Sequence, residues 1–194
     1  RGTIRQAEDP HEVTTVKQIR IHGRGGQGSV TLGHLIAEAA FEEGKWSQAF
    51  PQFGVERRGA PVEAFARVDD EKITDRSHVY EPDYVIVQDP SLIEFVDVSE
   101  GLSADGTLIV NTADAPEEVA VETDATVLTV DATEIAMEHI ERPIMNTALL
   151  GAFASASGII RLESIESVIM AEFPGDIGQR NVAASTDAYE VVSA

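Results

Sequence analysis

Hydrophobic and polar positions along the chain form short strand-like runs and longer helix-like runs. Apolar runs at 83–89, 107–111 and 126–130 are short and nearly continuous, which is typical of strands buried on both faces. Residues 18–22 and 45–50 predict two further strands. A sheet of at least five strands is therefore expected.

Runs with apolar side chains three and four residues apart predict helices between and after these strands. The run at 29–43 has one broad apolar stripe and ends at Gly44. Further helices are predicted at 132–141, 146–157 and 163–173, with weaker helical stretches at 92–98 and 115–121. The alternation predicts an α/β fold of three layers, with a mostly parallel sheet and helices on both faces.

Two segments depart from this pattern. Residues 62–68 alternate apolar and polar side chains, which predicts an exposed strand. Residues 1–17 are polar and of mixed charge, so we expect an N-terminal arm. A single α/β domain over 18–194 then accounts for the rest of the chain.

Three closely spaced glycines separate the first predicted strand from the first predicted helix. The sequence GRGGQG at 23–28 predicts a Rossmann-like glycine turn, where the backbone can approach an anion and the helix points unpaired N–H groups at it. Ser29 follows, and we expect it to cap the helix. No carboxylate ends the second strand to hold the ribose of NAD, and no Lys-Ser/Thr pair follows Gly28 as in a Walker loop. A phosphate-binding turn and a turn that only packs helix on strand both stay open.

The predicted loop at 51–61 carries two adjacent arginines, Arg57 and Arg58. A loop of this length inside a compact domain is usually functional, and guanidinium groups suit phosphate or carboxylate partners. Ligand binding and a subunit interface explain the two arginines equally well. The five histidines show no metal-ligand spacing, so we expect no metal site and read them as single structural residues.

Charge and composition narrow the expected partners. The chain has 34 acidic and 14 basic residues, for a net charge of −20. Such a surface repels nucleic acid and anionic membranes, so neither is an expected partner. Cysteine is absent, which leaves no thiolate ligand for an iron–sulfur cluster. We expect a cytoplasmic protein, and its acidity fits a salty cytoplasm and an ordinary acidic protein equally well.

Four motifs in a fixed order resemble one known family. They are HGRGGQG at 22–28, the loop at 50–61, YEPDYVIVQDP at 80–90 and RPIMNTALLGA at 142–152. Together they resemble the gamma subunit of 2-oxoacid:ferredoxin oxidoreductases, which include pyruvate synthase and the 2-ketoisovalerate enzyme. The resemblance runs from about residue 18 to residue 173, and it makes 18–194 a gamma-type domain.

The resemblance implies a division of labour within an enzyme complex. Alpha-, beta- and delta-type subunits would carry thiamine diphosphate, Mg²⁺ and [4Fe–4S] clusters, oxidatively decarboxylate a 2-oxoacid and pass electrons to ferredoxin. The gamma-type chain would be non-catalytic and would support coenzyme A binding and assembly. The residues expected at coenzyme A are Arg24, Gly25, Gly26, Gln27, Gly28, Arg57 and Arg58.

Two other functions stay open from the sequence. The chain could be a stand-alone nucleotide-binding or regulatory module, or a structural subunit whose loop at 50–61 only supports its partners. Nothing in the chain selects the 2-oxoacid, because the substrate pocket would be built largely by other subunits.

Overall fold

The computed structural model describes residues 16–52 and 58–193, which form six strands and five α-helices. The strands are β1 (Lys17–Arg24), β2 (Trp46–Pro51), β3 (Pro61–Asp69), β4 (Tyr84–Val87), β5 (Thr107–Asn111) and β6 (Thr126–Val130). The helices are α1 (Ser29–Glu42), α2 (Ala132–Ile140), α3 (Asn146–Ser157), α4 (Leu162–Glu172) and α5 (Asp176–Ser193). Two short 3-10 helices span Pro90–Glu94 and Pro116–Glu118.

All six strands join one sheet in the order β2-β3-β1-β4-β5-β6. The pairs β1–β4, β4–β5 and β5–β6 are parallel, whereas β3 runs antiparallel to both β1 and β2. Five strands therefore point the same way and β3 alone is reversed. The predicted α/β class with a mostly parallel sheet is confirmed.

The two faces of the sheet are covered differently. The helix-covered face, formed by side chains such as Ile19, Ile21, Ala66, Ile86 and Ile109, packs with the five α-helices in the main hydrophobic core. The loop-covered face is formed by the alternate residues of the same strands. Under β4 and β5 it packs against Ile93 of the first 3-10 helix and against loop residues, in a smaller apolar cluster that includes Val85, Val87, Leu108 and Val110. The helices of the second face are thus short 3-10 turns.

Some predicted elements differ from the observed ones. The predicted helices at 92–98 and 115–121 are replaced by the two 3-10 helices, each preceded by an extended residue and started by a proline. The strand predicted at 62–68 is confirmed as β3, but its predicted exposure is wrong, because β3 lies between β1 and β2 and is buried from Ala64 to Asp69. Its polar residue Arg67 is covered by the segment that follows the strand, so alternation there does not mean exposure.

Helix α5 has no counterpart among the predicted helices. Its buried positions are the small or polar residues Gly178, Asn181, Ala184, Ser185 and Ala188. Such residues give no strong apolar stripe, although the helix packs closely on α3 and α2. The predicted arm lies mostly outside the described residues, because the description begins at residue 16 and β1 already starts at Lys17.

Within the described residues, no helix has the length and apolar character needed to cross a membrane.

Candidate functional site

The glycine turn lies at the carboxyl end of β1 and is tied to the start of β3. The N–H of Gly25 donates to the carbonyl of Ala60 at 2.8 Å, and the N–H of Gly59 donates to the carbonyl of Gly25 at 3.0 Å. Within the turn, the N–H of Gln27 donates to the carbonyl of Arg24 at 2.9 Å. These bonds fix the turn against the end of the described part of the 51–61 loop.

Gly28 is the residue at which the turn becomes helix α1. Its φ of 79° lies in the left-handed region, which favours glycine. A Cβ on this residue would also overlap the side-chain amide of Asn146 at the start of α3. The turn can therefore close only with glycine at this position, for backbone and for packing reasons.

A buried amide network holds the strand ends and helix starts together. Ser29 Oγ donates to Gln88 Oε1 at 2.5 Å, and Gln88 Nε2 donates to Asn146 Oδ1 at 2.6 Å. Asn111 Nδ2 donates to the carbonyl of Gln88 at 2.8 Å. The capping role expected of Ser29 is wrong: the N-cap is Gly28, and Ser29 is the first helical residue, with its hydroxyl turned to Gln88. The network gives the site a rigid base.

Arg24 forms three side-chain hydrogen bonds within the protein. Its guanidinium donates to Asp89 Oδ2 at 2.7 Å, to Ser91 Oγ at 2.7 Å and to the carbonyl of Gly59 at 3.1 Å. Burial alone would raise the pKa of Asp89, but hydrogen bonds from Ser91 and Arg24 outweigh it and lower that pKa. Gln27 Oε1 accepts a hydrogen bond from the Arg24 N–H at 2.7 Å. Arg24 and Gln27 thus hold the turn in shape.

A cavity of about 600 Å³ opens beside the turn. Its lining includes Gly25, Gly26, Gly28, Arg58 and Glu63. Among the described residues, the N–H groups of Gly26, Gly28 and Ser29 have no hydrogen-bond acceptor. Over the same residues Arg58 has no ion-pair partner, and its Cγ lies near Gly26. The cavity therefore offers unpaired backbone donors and one uncommitted cation, as an anion site requires.

The structure brings most of the predicted site residues together. Gly25, Gly26, Gly28, Arg24 and Arg58 all line this cavity. Gln27 supports the turn from behind, through its bond to Arg24. Arg57 lies outside the described residues. The ligand role of all seven residues stays a prediction.

Three charged or titratable residues of β1 and β3 were missed by the sequence analysis as a group. Arg20 Nε donates to His22 Nε2 at 3.0 Å, and His22 Nδ1 lies 3.4 Å from Glu63 Oε1. Burial and the charge of Arg20 lower the pKa of His22 to about 3, so the imidazole is neutral at physiological pH. The signal for this group is the alternation of Arg20 and His22 with Ile19 and Ile21, which puts both polar residues on one face of β1.

A separate surface cluster joins α2 to α5. Glu138, His139 and Asp187 bring one ligand atom each to within 4.8 Å of one another. His139 Nε2 lies 3.1 Å from Asp187 Oδ2. A partly exposed ion pair between two packed helices accounts for this grouping.

Sequence and structure comparisons place the chain in a family. The profile of the pyruvate ferredoxin/flavodoxin oxidoreductase family matches residues 18–191. Pyruvate synthase subunit PorC of Methanosarcina barkeri is 60% identical over 156 residues, covering 80% of this chain and 86% of that protein. The pyruvate/ketoisovalerate oxidoreductases common subunit gamma of Pyrococcus abyssi is 52% identical over 176 residues, covering 89% and 95%.

A solved structure agrees with these sequence matches. The crystal structure of pyruvate oxidoreductase subunit PORC from Thermotoga maritima has a TM-score of 0.82 and 41% identity, covering 91% of this chain and 96% of that chain. The resemblance stated from the four motifs is thereby confirmed. This chain belongs to the pyruvate ferredoxin/flavodoxin oxidoreductase family, as a gamma-type subunit.

Proposed function

We propose that this gamma-type subunit binds coenzyme A at the glycine turn, for the acyl-transfer step of a 2-oxoacid:ferredoxin oxidoreductase complex. The observation that carries the proposal is the cavity of about 600 Å³ that is lined by Gly26, Gly28, Ser29 and Arg58, three of whose backbone N–H groups (Gly26, Gly28 and Ser29) have no acceptor among the described residues. Phosphate oxygens accept hydrogen bonds from such N–H groups and pair with guanidinium groups. Coenzyme A carries several phosphates and fits this chemistry.

The two arginines at the turn have different roles in this proposal. Arg24 is bonded to Asp89, Ser91 and Gly59, so it shapes the turn and is not the cation that the ligand recruits. Arg58 lines the cavity and has no ion-pair partner among the described residues. In a chain with a net charge of −20, an uncommitted arginine beside unpaired N–H groups creates a local site for an anion.

The remaining chemistry of the complex belongs to partner subunits. The 194 residues contain no cysteine, so they supply no thiolate ligand to an iron–sulfur cluster. Thiamine diphosphate, Mg²⁺ and [4Fe–4S] clusters would be held by alpha-, beta- and delta-type subunits, with ferredoxin as the electron acceptor. Relatives are named for pyruvate and ketoisovalerate, and pyruvate is the first substrate to test.

The test is Arg58→Gln in the assembled complex, with steady-state kinetics for coenzyme A and pyruvate measured separately. Loss of one charge-assisted contact should raise the KM for coenzyme A about tenfold and leave the KM for pyruvate near that of the wild type. Arg180→Gln is the matched control, because Arg180 lies on α5 and is paired with Asp176 and Glu141 at the surface.

An unchanged KM for coenzyme A in an intact Arg58→Gln complex would contradict the proposal. The native mass of each variant complex is measured alongside. If that mass shows subunit loss while the KM for coenzyme A stays constant, Arg58 is an interface residue and the subunit has a structural function.

A further inference from the structure

Strand β2 (Trp46–Pro51) lies at one edge of the sheet. Among the described residues it pairs only with β3, in a register without a bulge, so its other side has no neighbouring strand. None of its six residues is charged, although charged residues make up 25% of the chain. Natural proteins protect free edges with charges, bulges, prolines or covering segments. Apart from Pro51 at its end, β2 has no such protection within the described part of the chain.

The backbone groups on the free side of β2 belong to alternate residues. The N–H of Gln52 donates to the carbonyl of Glu63 at 3.0 Å, which fixes the phase of the β2–β3 ladder. Because hydrogen-bonded pairs alternate along antiparallel strands, the even-numbered residues of β2 bond inward to β3. The N–H and C=O groups of Ser47 and Ala49 therefore point away from the sheet, where an added strand would bond to them.

The side chains of β2 alternate between the two faces of the sheet. Ser47 Oγ donates to the carbonyl of Ala37 in α1 at 2.6 Å, so the odd-numbered residues face the helices. The guanidinium of Arg67 lies 5.2 Å from the ring centroid of Phe50 on the loop-covered face, so the even-numbered residues face the loops. An added strand follows the same alternation, and its successive side chains would lie on the helix side and the loop side in turn.

A cavity lies on each side of this free edge. The helix-side cavity measures about 440 Å³ and lies between α1, α4 and β2, whereas the loop-side cavity measures about 620 Å³ and lies between β2 and the segment after β3. Small apolar residues and two carboxylates line the helix-side cavity, among them Ala37, Ala49, Val168, Ala171, Glu38 and Glu42. Rings and one cation line the loop-side cavity, among them Phe50, Pro51, His78 and Arg76. Side chains of an added strand therefore have space on both sides, in different chemical environments.

The helix-side cavity suits a basic side chain. Glu38 is exposed and has no ion-pair partner among the residues that the structure describes, and Glu42 accepts a hydrogen bond from Ser167 Oγ at 3.0 Å. A lysine or arginine would pack its methylene groups on the alanines and bring its charge to the two carboxylates. Phe41 lines the same cavity, is 72% exposed and adds apolar contact area.

We propose that β2 is a docking strand, to which an extended segment of a partner subunit adds as a seventh strand of the sheet. Lysine or arginine side chains of that segment face Glu38 and Glu42, and the apolar side chains that alternate with them lie beside Phe50. This chain is a gamma-type subunit, so it contacts other subunits of its complex. The free N–H and C=O groups supply affinity, and the two cavities select the partner.

A second copy of this chain fits the edge poorly. Antiparallel pairing of two β2 strands about a twofold axis would put α1 of both copies on the same side of the joined sheet. The two acidic helix-side cavities would then adjoin each other. Two chains that each have a net charge of −20 would also repel, whereas a basic segment would be attracted.

Hydrogen exchange at single amides tests the strand addition by comparing the isolated chain with the assembled complex. The N–H groups of Ser47 and Ala49 should exchange at least about a hundredfold more slowly in the complex, because they gain acceptors there. The N–H groups of Gln48 and Phe50 bond to β3 in both states and serve as the internal control. Unchanged exchange at Ser47 and Ala49 in the complex would overturn the proposal.

Photo-crosslinking identifies the segment that occupies the edge. The photoreactive residue p-benzoylphenylalanine replaces Phe41, and mass spectrometry identifies the peptides that it captures in the assembled complex. The expected peptide belongs to a partner subunit and alternates basic with apolar residues. A peptide from a second copy, or from residues 1–15 of this chain, would show a different occupant and overturn the proposal.

Glu38→Lys tests the charge of the helix-side cavity. The affinity of this chain for the other subunits should fall about tenfold in about 0.1 M salt, and the loss should shrink in about 1 M salt because salt screens the repulsion. Glu117→Lys is the matched control, since it makes the same change in net charge on the exposed 3-10 helix Pro116–Glu118. An affinity that is unchanged by Glu38→Lys, or that falls equally in both variants, would contradict a basic partner segment at β2.

Discussion

The helix-covered face and the loop-covered face of the sheet use alternate residues of the same strands for different purposes. On β1, Ile19 and Ile21 enter the main core, while Arg20 and His22 point to the other face. On β3, Ala66 packs with the helices, whereas its neighbour Arg67 is almost fully buried beneath a loop. The helix-covered face is stabilised by apolar packing, whereas the part of the loop-covered face under β1 and β3 is stabilised by directed hydrogen bonds.

The polar part of the loop-covered face lies under the strands that build the candidate site. Arg20 bonds to the carbonyls of Val98 and Glu100, and Arg67 bonds to those of Ser77 and His78. Each arginine therefore fastens an irregular segment to the sheet with several donors at fixed angles. We therefore expect variants on the helix-covered face to change global stability. Variants on the loop-covered face should change the local order of the loops and the binding of ligands.

The largest effect is expected for Gly151→Ala, on the helix-covered side. Gly151 lies in α3 against α5, and a Cβ there would overlap the carbonyl oxygen of Ser185. The two helices must separate to admit the methyl group, so the free energy of unfolding should fall by about 3 kcal/mol. Urea unfolding of the purified chain measures the change.

Gly33→Ala is the matched control for that experiment. Gly33 lies in α1, and a Cβ there would meet its neighbours at ordinary contact distances of 3.5–3.9 Å. Alanine is the better helix former by about 1 kcal/mol, so this variant should be neutral or slightly more stable. If both variants lost the same free energy of unfolding, close packing of α3 on α5 at Gly151 would not explain the loss.

Arg67→Met should have a smaller effect on the free energy of unfolding and a strong effect on the segment that Arg67 holds to the sheet. The guanidinium of Arg67 donates to Gln18 Oε1 at 3.1 Å and to the carbonyl of Ser77 at 2.8 Å, and it lies 5.2 Å from the ring centroid of Phe50. Methionine keeps part of the packing but loses the donors, which should lower the free energy of unfolding by about 2 kcal/mol.

Limited trypsin digestion checks the local part of this prediction. Lys72 and Arg76 are exposed in the segment that Arg67 fastens, so cleavage after them should become at least about tenfold faster. Arg180→Met, which removes only surface ion pairs, should leave the cleavage rate unchanged. If Arg67→Met lowered the free energy of unfolding without faster cleavage at these two sites, Arg67 would stabilise the core and would not hold the segment that follows β3.

Regular elements with a strong pattern could be predicted from the sequence, and elements defined by distant contacts could not. Helix α3 (Asn146–Ser157) has the predicted bounds, because its apolar residues are nearly continuous and Gly158 ends it. Helix α5 was missed because it packs through Ala184, Ser185 and Ala188, which are small. The burial of β3 was missed because the segment that covers Arg67 is irregular, and its two buried apolar residues, Ile73 and Val79, form no helical or strand pattern.

The candidate site shows the same limit. The glycine turn was predicted from local sequence, because the need for glycine at Gly28 follows from the strand–turn–helix connection. The pairing of Arg24 with Asp89 joins residues 65 positions apart, and no local pattern encodes it. Glu63 contacts His22 because the antiparallel register puts the two residues opposite each other, and register is a property of the folded sheet.

The smallest effect is expected for Glu63→Gln. This variant tests whether the ionised carboxylate of Glu63, on the loop-covered face, lowers the free energy of unfolding. The pKa of Glu63 is raised in the folded protein, mainly by burial. The folded state therefore binds the proton more tightly than the unfolded chain. The stability that protonated Glu63 contributes is fully present below the pKa of Glu63 in the unfolded chain. It is lost as the pH rises through the pKa of Glu63 in the folded protein.

Glutamine mimics the protonated acid, so Glu63→Gln should melt at a higher temperature than the wild type at pH 8, and the difference should shrink at pH 5. The gain should stay below about 1 kcal/mol, because the side chain is partly solvated. Glu117→Gln makes the same change in net charge on an exposed 3-10 helix and separates the local effect from general repulsion in a chain of charge −20. If the variant melted below the wild type at pH 8, the ionised Glu63 would stabilise the fold. Polar groups of the loop-covered face would then contribute to global stability, as the apolar residues of the helix-covered face do.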